Sequence, residues 1–339
     1  MTEQFGLPAA WGLKFARKGP AMGDCKIGLA LGGGSARGWA HIGVLRALNA
    51  AGIHPDIVTG TSIGAVVGGC YVAGVLGALE QFARELTRRK VLSFLDFNFS
   101  GSGLIYGQRL CDILDCTLKG ITIEAMDKRF VAVATEIGTG HEVWLSRGRL
   151  VDAMRASYAL PGIFRPVAIN GRWLFDGALV NPIPVSVCRA LGARYVIAVS
   201  LSADSCGRGT VVPHLEAAAP EEPTPPRQES GLIARNGRAV KKLLQRQVFG
   251  RTDNGPGISR VMMEAFNIVQ DRIARSRLAG DPPDVLIQPR LPAFGLFDFH
   301  RAEPLIEGGA AAARREIEEL KRDLESRRGG ITAPLGATS

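Results

Sequence analysis

The chain has 339 residues, of which 46% are hydrophobic and 22% charged, with a formal net charge of +9. That composition supplies material for one large domain and excludes global disorder. The positive charge and a pI near 9.5 favour an anionic partner, and without zinc-finger spacing, an aromatic-rich RNA signature or a DNA-reading helix, lipid headgroups rank above nucleic acid.

Residues 1–25 carry scattered apolar residues, Pro8 and the Arg17/Lys18 pair but no continuous apolar run, and read as a loose N-terminal extension. A core is expected over residues 26–201. It opens with a strand at Ile27 to Leu31, a glycine loop from Gly32 to Gly38, and a helix that runs to about Ala50 and stops at Gly52. A second strand-turn-helix unit follows: Ile57 to Thr59, the turn Gly60-Thr61-Ser62-Ile63-Gly64, and a glycine-spaced helix. The stretch from Ile57 to Leu79 has no charge and is long enough to span a bilayer. Glycines at 60, 64 and 68 and the strand-like start favour a buried strand, turn and helix instead.

Further strands are expected at Phe130 to Thr135, Glu142 to Leu145, Trp173 to Phe175 and Tyr195 to Ser200, with helices near Leu150 to Tyr158 and Pro184 to Leu191. This alternation predicts an α/β fold with a mostly parallel sheet and helices on both faces. Residues 202–230 lose the hydrophobic period and open a region, 202–257, that reads as a mobile linker. The linker carries a basic amphipathic helix from Leu232 to Phe249, with Leu232, Ile233, Val240 and Leu244 on one side and Arg235, Arg238, Lys242 and Arg246 on the other. Residues 258–328 return to order as a helix from Ile258 to about Leu278, a late strand at Val285 to Gln288 and a charged helix from Glu303 to Arg328, before a tail over 329–339.

The six cysteines are scattered and expected to be reduced thiols. Cys111 and Cys116 form the closest pair, and no second pair or histidine cluster accompanies them, so no metal site is expected.

Three segments carry chemistry. Gly60-Thr61-Ser62-Ile63-Gly64 matches G-x-S-x-G, the turn that exposes a serine hydroxyl between a strand and a helix whose amide end faces it. The motif is weak alone, and the strand before and helix after strengthen it. Leu31-Gly-Gly-Gly-Ser-Ala-Arg-Gly38 lets backbone N–H groups of Gly32, Gly33 and Gly34 converge, as an oxyanion requires. A dinucleotide fingerprint would need glycine at Arg37, and a P-loop would need lysine at Trp39; a tight turn before a close-packed helix is the plain structural alternative. Phe175-Asp176-Gly177-Ala178, followed by Asn181-Pro-Ile-Pro184, places an aspartate at a strand end. Such an aspartate is ordinarily a turn former and here supplies a base.

In order and surroundings these segments resemble the patatin-like phospholipase family, and its bacterial RssA-like branch in particular. Trp39-Ala-His-Ile-Gly-Val44, Ala156-Ser-Tyr-Ala-Leu-Pro-Gly-Ile-Phe164 and Ser276-Arg-Leu-Ala-Gly-Asp-Pro-Pro-Asp284 extend the resemblance. It implies a three-layer patatin-like fold and a Ser62–Asp176 dyad without histidine, with Gly32, Gly33 and Gly34 as the oxyanion loop. Arg37, Gly38, Gly60, Gly64, Gly177 and Ala178 are the supporting motif residues. Ser35 stands where many relatives have glycine, which a backbone donor survives if the local φ is tolerated.

The function implied is hydrolysis of carboxylic esters, above all lipid acyl esters, through an acyl-enzyme, with no cofactor and no metal. The alternatives are a catalytically weak regulatory or scaffold protein on the same fold, or a Ser-His-Asp triad using His300. His41, just inside the first helix, reads as a packing or surface residue rather than a base. A cytoplasmic protein is the expected setting, with 232–249 either packing its apolar side on the core or lying against an anionic membrane surface.

Overall fold

The computed structural model describes residues 25–94, 108–118, 120–201, 251–252, 255–256, 258–291, 294 and 298–329. Its centre is an eight-stranded sheet. β1 (Ile27–Leu31), β2 (Ile57–Thr61) and β7 (Tyr195–Val199) are buried at every position. β1 and, after Tyr195, β7 are unbroken runs without polar side chains, and β2 adds the buried Thr59 and Thr61, as expected of strands covered on both faces. The order is β10-β7-β1-β2-β3-β6-β5, with β3 at Arg129–Glu136, β5 at Val167–Ile169, β6 at Arg172–Asp176 and β10 at Val285–Ile287; β4 (Glu142–Leu145) also pairs with β3. Strands β10, β7, β1, β2 and β3 run parallel, while β4, β5 and β6 are antiparallel to their neighbours. Arg251–Thr252 and Gly255–Pro256 form a separate two-stranded ribbon, β8 and β9.

The two-residue strand period sorts side chains into two cores. Leu29, Leu31, Val58, Ile197 and Val199 face one side, toward α1 (Ala40–Ala50), α2 (Ile63–Val72), α6 (Leu150–Ser157) and the C-terminal helix Ala302–Gly329. Ala30, Ile57, Val196 and Ala198 face the other, toward α7 (Val185–Ala190) and the helix α8 (Ile258–Gly280). That is the three-layer arrangement expected. The C-terminal helix, α9, crosses α1 at Gly43 and Gly309, where a β-carbon on either would overlap the other helix's backbone.

Some expected elements differ in extent. The uncharged run from Ile57 is not one strand and one long helix: α2 ends at Val72, Gly74 takes φ 75°, and a separate α3 (Leu76–Arg84) follows. No helix among the described residues is long and apolar enough to cross a membrane. β5 and α4 (Arg88–Phe94) had no counterpart in the sequence reading, and Cys111 and Cys116 lie on one helix, α5 (Gln108–Leu118). Apart from Cys25, which is buried in the core, and Gly329, which ends the C-terminal helix, the loose extension and the tail lie outside the described residues, as does most of the linker with its helix Leu232 to Phe249.

Strand β3 positions the site. Arg129 N donates to Asp56 O and Ile137 N to Trp173 O, while Glu136 N donates to His141 O. Residues of one parity in a strand address one edge. β2 and β6 therefore lie end to end along one edge of β3, and β4 takes the opposite edge. β2 ends with Thr61 opposite Val133; β6, running the other way, ends with Asp176 opposite Ala134.

Candidate active site

Ser62 stands where β2 turns into α2, at φ 57° and ψ −127°. That backbone conformation costs a residue with a side chain roughly 1–3 kcal/mol. The turn is held by close backbone approach. A β-carbon at Gly60 would overlap the backbone of Gly64 and Ala65, and one at Gly64 would overlap the carbonyl of Leu31. Gly38 and Gly177 lie equally tight against the Ile63 side chain and the Val133 carbonyl.

The Ser62 amide donates to Ser157 Oγ at 2.9 Å, and that hydroxyl donates to the Val133 carbonyl at 2.6 Å. Ser157 ends α6, is fully buried, and bridges the Ser62 turn to the rung of β3 where β2 stops. Sequence reasoning assigned it no role. The signal was a small hydroxyl residue closing a helix that also carries Asp152 and Arg155, within the segment Ala156 to Phe164 that extends the family resemblance.

Asp176, 1% exposed, caps the turn that follows it: Oδ1 accepts from the Ala178 amide at 2.9 Å. Its Oδ2 accepts from Ser62 Oγ at 2.7 Å. Burial raises its carboxyl from 3.8 to about 7, opposed by the hydrogen bonds from Ser62 and Ala178. A carboxyl raised this far by burial can exchange a proton near neutral pH, and it lies in contact with a hydroxyl held on a strained turn.

The glycine loop divides its amides. Gly32 N donates to Val199 O and Gly33 N to Pro182 O, both at 3.0 Å. These two are spent on backbone carbonyls, which corrects the expectation that all three glycine amides converge as free donors. Among the described residues, no acceptor faces the amides of Gly34 and Ser35. Ser35 adopts φ 49°, so the left-handed geometry that favours glycine is tolerated there. Arg37 sits in the short 3-10 turn that follows, its amide donating to Gly34 O.

Ser35, Ser62 and Asp176 open onto a cavity of about 130 Å³ walled by apolar side chains. α2 supplies Val66, α3 supplies Leu79 and Phe82, α5 supplies Leu114, and Tyr158 and Phe299 close other sides.

Histidines lie off this pair. His300, the alternative base, accepts from Arg88 Nε at 3.1 Å, whereas the Ser62 hydroxyl is given to Asp176. His54 pairs with Asn49, His141 sits 3.8 Å from Glu136 at the β3–β4 turn, and His214 is outside the described residues. His41 is not at the surface: it is buried at 0% exposure, with Nε2 2.8 Å from the Gly32 carbonyl oxygen. No group of three or more metal-ligating side chains occurs among the described residues.

Residues 29–189 match the model of the patatin-like phospholipase family. An uncharacterized NTE family protein of Mycobacterium tuberculosis is 32% identical over 343 aligned positions, covering 88% of this chain and 93% of that protein. A lysophospholipase of Mycosarcoma maydis is 35% identical over 208 positions, 55% of this chain and 10% of the other. Among solved structures, VipD from Legionella pneumophila superposes with a TM-score of 0.51 over 87% of this chain and 67% of its own, at 12% identity, a likeness of fold. With the family model matched across the serine turn, the glycine loop and the strand-end aspartate, and a relative similar over nearly its whole length, the chain belongs to the patatin-like phospholipase family.

Proposed function

We propose that the chain hydrolyses lipid acyl esters through an acyl-enzyme on Ser62, with Asp176 as its base. The observation that carries this reading is the 2.7 Å bond from Ser62 Oγ to a buried carboxyl at the edge of an apolar cavity. The acyl chain occupies the cavity, with its ester carbonyl at Ser62. Asp176 takes the Oγ proton as Oγ bonds to the carbonyl carbon. The carbonyl oxygen becomes an oxyanion, facing the amides of Gly34 and Ser35, the donors the glycine loop leaves unspent. Collapse breaks the bond to the leaving alkoxide, which receives the proton from Asp176. Water then attacks the acyl-enzyme, giving its proton to Asp176, and Ser62 leaves as the hydroxyl when that proton returns to Oγ. The lysophospholipase relative and the family name support a lipid ester as substrate.

The basic segment 232–249 is the part of the chain suited to an anionic bilayer surface. Binding to anionic but not neutral liposomes, weakened by charge reversal at Lys241 and Lys242, is the expected result of co-sedimentation.

Labelling with a fluorophosphonate tests the core of the proposal. A single adduct on the wild type, absent from Ser62→Ala by intact mass, is expected. No adduct, or one that persists in the variant, removes Ser62 as nucleophile.

A further inference from the structure

His41 is wholly buried, yet no hydrogen bond links it to Ser62 or Asp176. Its Nε2 lies 2.8 Å from the Gly32 carbonyl oxygen. A carbonyl only accepts, so Nε2 carries the proton. Nδ1 has no hydrogen-bond partner among the described residues, and burial pushes the group down to about 4, so the ring is a neutral imidazole.

The peptide it binds is held from both sides. The carbonyl of the Gly32–Gly33 peptide accepts from His41, and the N–H of the same peptide donates to Pro182 O at 3.0 Å. Pro182 belongs to the loop after Asp176, and that loop is tied to the nucleophile turn by Thr61 Oγ1 donating to Asn181 O at 2.8 Å. One peptide plane thus joins α1 to the aspartate loop. It immediately precedes the two amides left without an acceptor, and its rotation is the local motion that would turn them away.

We propose that His41 is a positioning residue for the oxyanion loop: its Nε2–H fixes the Gly32–Gly33 peptide plane and so aims the amides of Gly34 and Ser35 at the reacting carbonyl. The inference rests on the hydrolase reading above. It makes His41 matter to the transition state and not to ground-state binding of the acyl chain.

The test uses the full chain with His41→Leu, His41→Gln and His41→Asn. A glutamine amide nitrogen reaches the position of Nε2; that of asparagine falls short. Leu and Asn are expected to lower kcat on a medium-chain ester by roughly 10- to 100-fold, the scale of a small misplacement at a reacting centre, with KM within about twofold and Gln recovering most of the loss. Affinity for an alkyl trifluoromethyl ketone, whose serine adduct carries the oxyanion, should fall with kcat. Affinity for the matching alcohol, which forms no oxyanion, should not.

A folded His41→Leu with wild-type kcat and ketone affinity overturns the inference, as does an equal loss for the ketone and the alcohol. If His41→Leu does not fold, Gln against Asn decides, and equal activity in those two overturns it. Fluorophosphonate labelling of each variant separates the levels. A wild type that is never labelled defeats the hydrolase reading and this inference together; a labelled wild type with indifferent His41 variants defeats only this one.

Discussion

Replacing Asp176 with asparagine should abolish hydrolysis and stabilise the protein, and the two effects have one cause. The native carboxyl titrates near 7 against 3.8 for the ordinary group, because burial penalises its charge. The native state therefore keeps this proton longer than the unfolded chain does. Between pH 3.8 and about 7 unfolding releases a proton, so this group's contribution to stability falls as pH rises through that window and levels off above it. At 1.36 kcal/mol per pH unit, the ionised carboxyl destabilises the native state by on the order of 4 kcal/mol at pH 8. Asparagine is isosteric and neutral. Its carbonyl oxygen still accepts from the Ala178 amide, and its amide nitrogen donates to Ser62 Oγ in place of accepting from it. Urea unfolding at pH 8 should show the variant more stable than wild type, with the gain vanishing below about pH 4, while kcat falls by about 10²- to 10⁴-fold, the share of a general base. An Asp176→Asn protein less stable than wild type at pH 8, or one that keeps its activity, would refute the reasoning.

The same carboxyl sets the pH profile: kcat/KM should rise with a midpoint near 7, where Asp176 loses its proton, and a flat profile from pH 5 to 9 would exclude it as the base. Ser157→Ala leaves the buried Ser62 amide and the Val133 carbonyl without their shared partner, and at about 1–3 kcal/mol per orphaned group it should lower the urea midpoint and slow phosphonate labelling together. Gly64→Ala forces a β-carbon onto the Leu31 carbonyl and should yield no soluble folded protein, whereas Gly77→Ala on α3, where a β-carbon meets nothing, should be neutral or stabilising by about 0.5–1 kcal/mol in thermal unfolding. A soluble, active Gly64→Ala would mean the turn can open.

What could be read in advance follows the range of the interactions involved. Ser62 was legible because strand, tight turn and helix are local, and the glycines at 60 and 64 mark the close approach directly. Asp176 followed only from the order of motifs, since its partner across the sheet is set by a strand register with no local trace. Ser157 was invisible for the same reason: its hydroxyl serves backbone groups from two other elements. The glycine loop was found but its amides were misassigned, because which of them is spent depends on Val199 and Pro182, far along the chain. The α2–α3 break at Gly74 was missed because an uncharged run conceals where one helix stops and the next begins.

The end-to-end meeting of β2 and β6 along β3 has a consequence for how this site forms and how it diverges. The two side chains that touch are 114 positions apart, and neither lies on an element that contacts the other until both strands have docked on the same rail. The contact between the two side chains thus depends on non-local pairing, the slow kind to form, and a chain in which either strand is undocked from β3 lacks it. The same geometry frees the intervening sequence. The helices α3 to α5 wall the cavity but carry neither Ser62 nor Asp176, so insertions or exchanges there can reshape what enters the cavity while the spacing of the two side chains is kept by strand β3, which contributes nothing to the cavity wall.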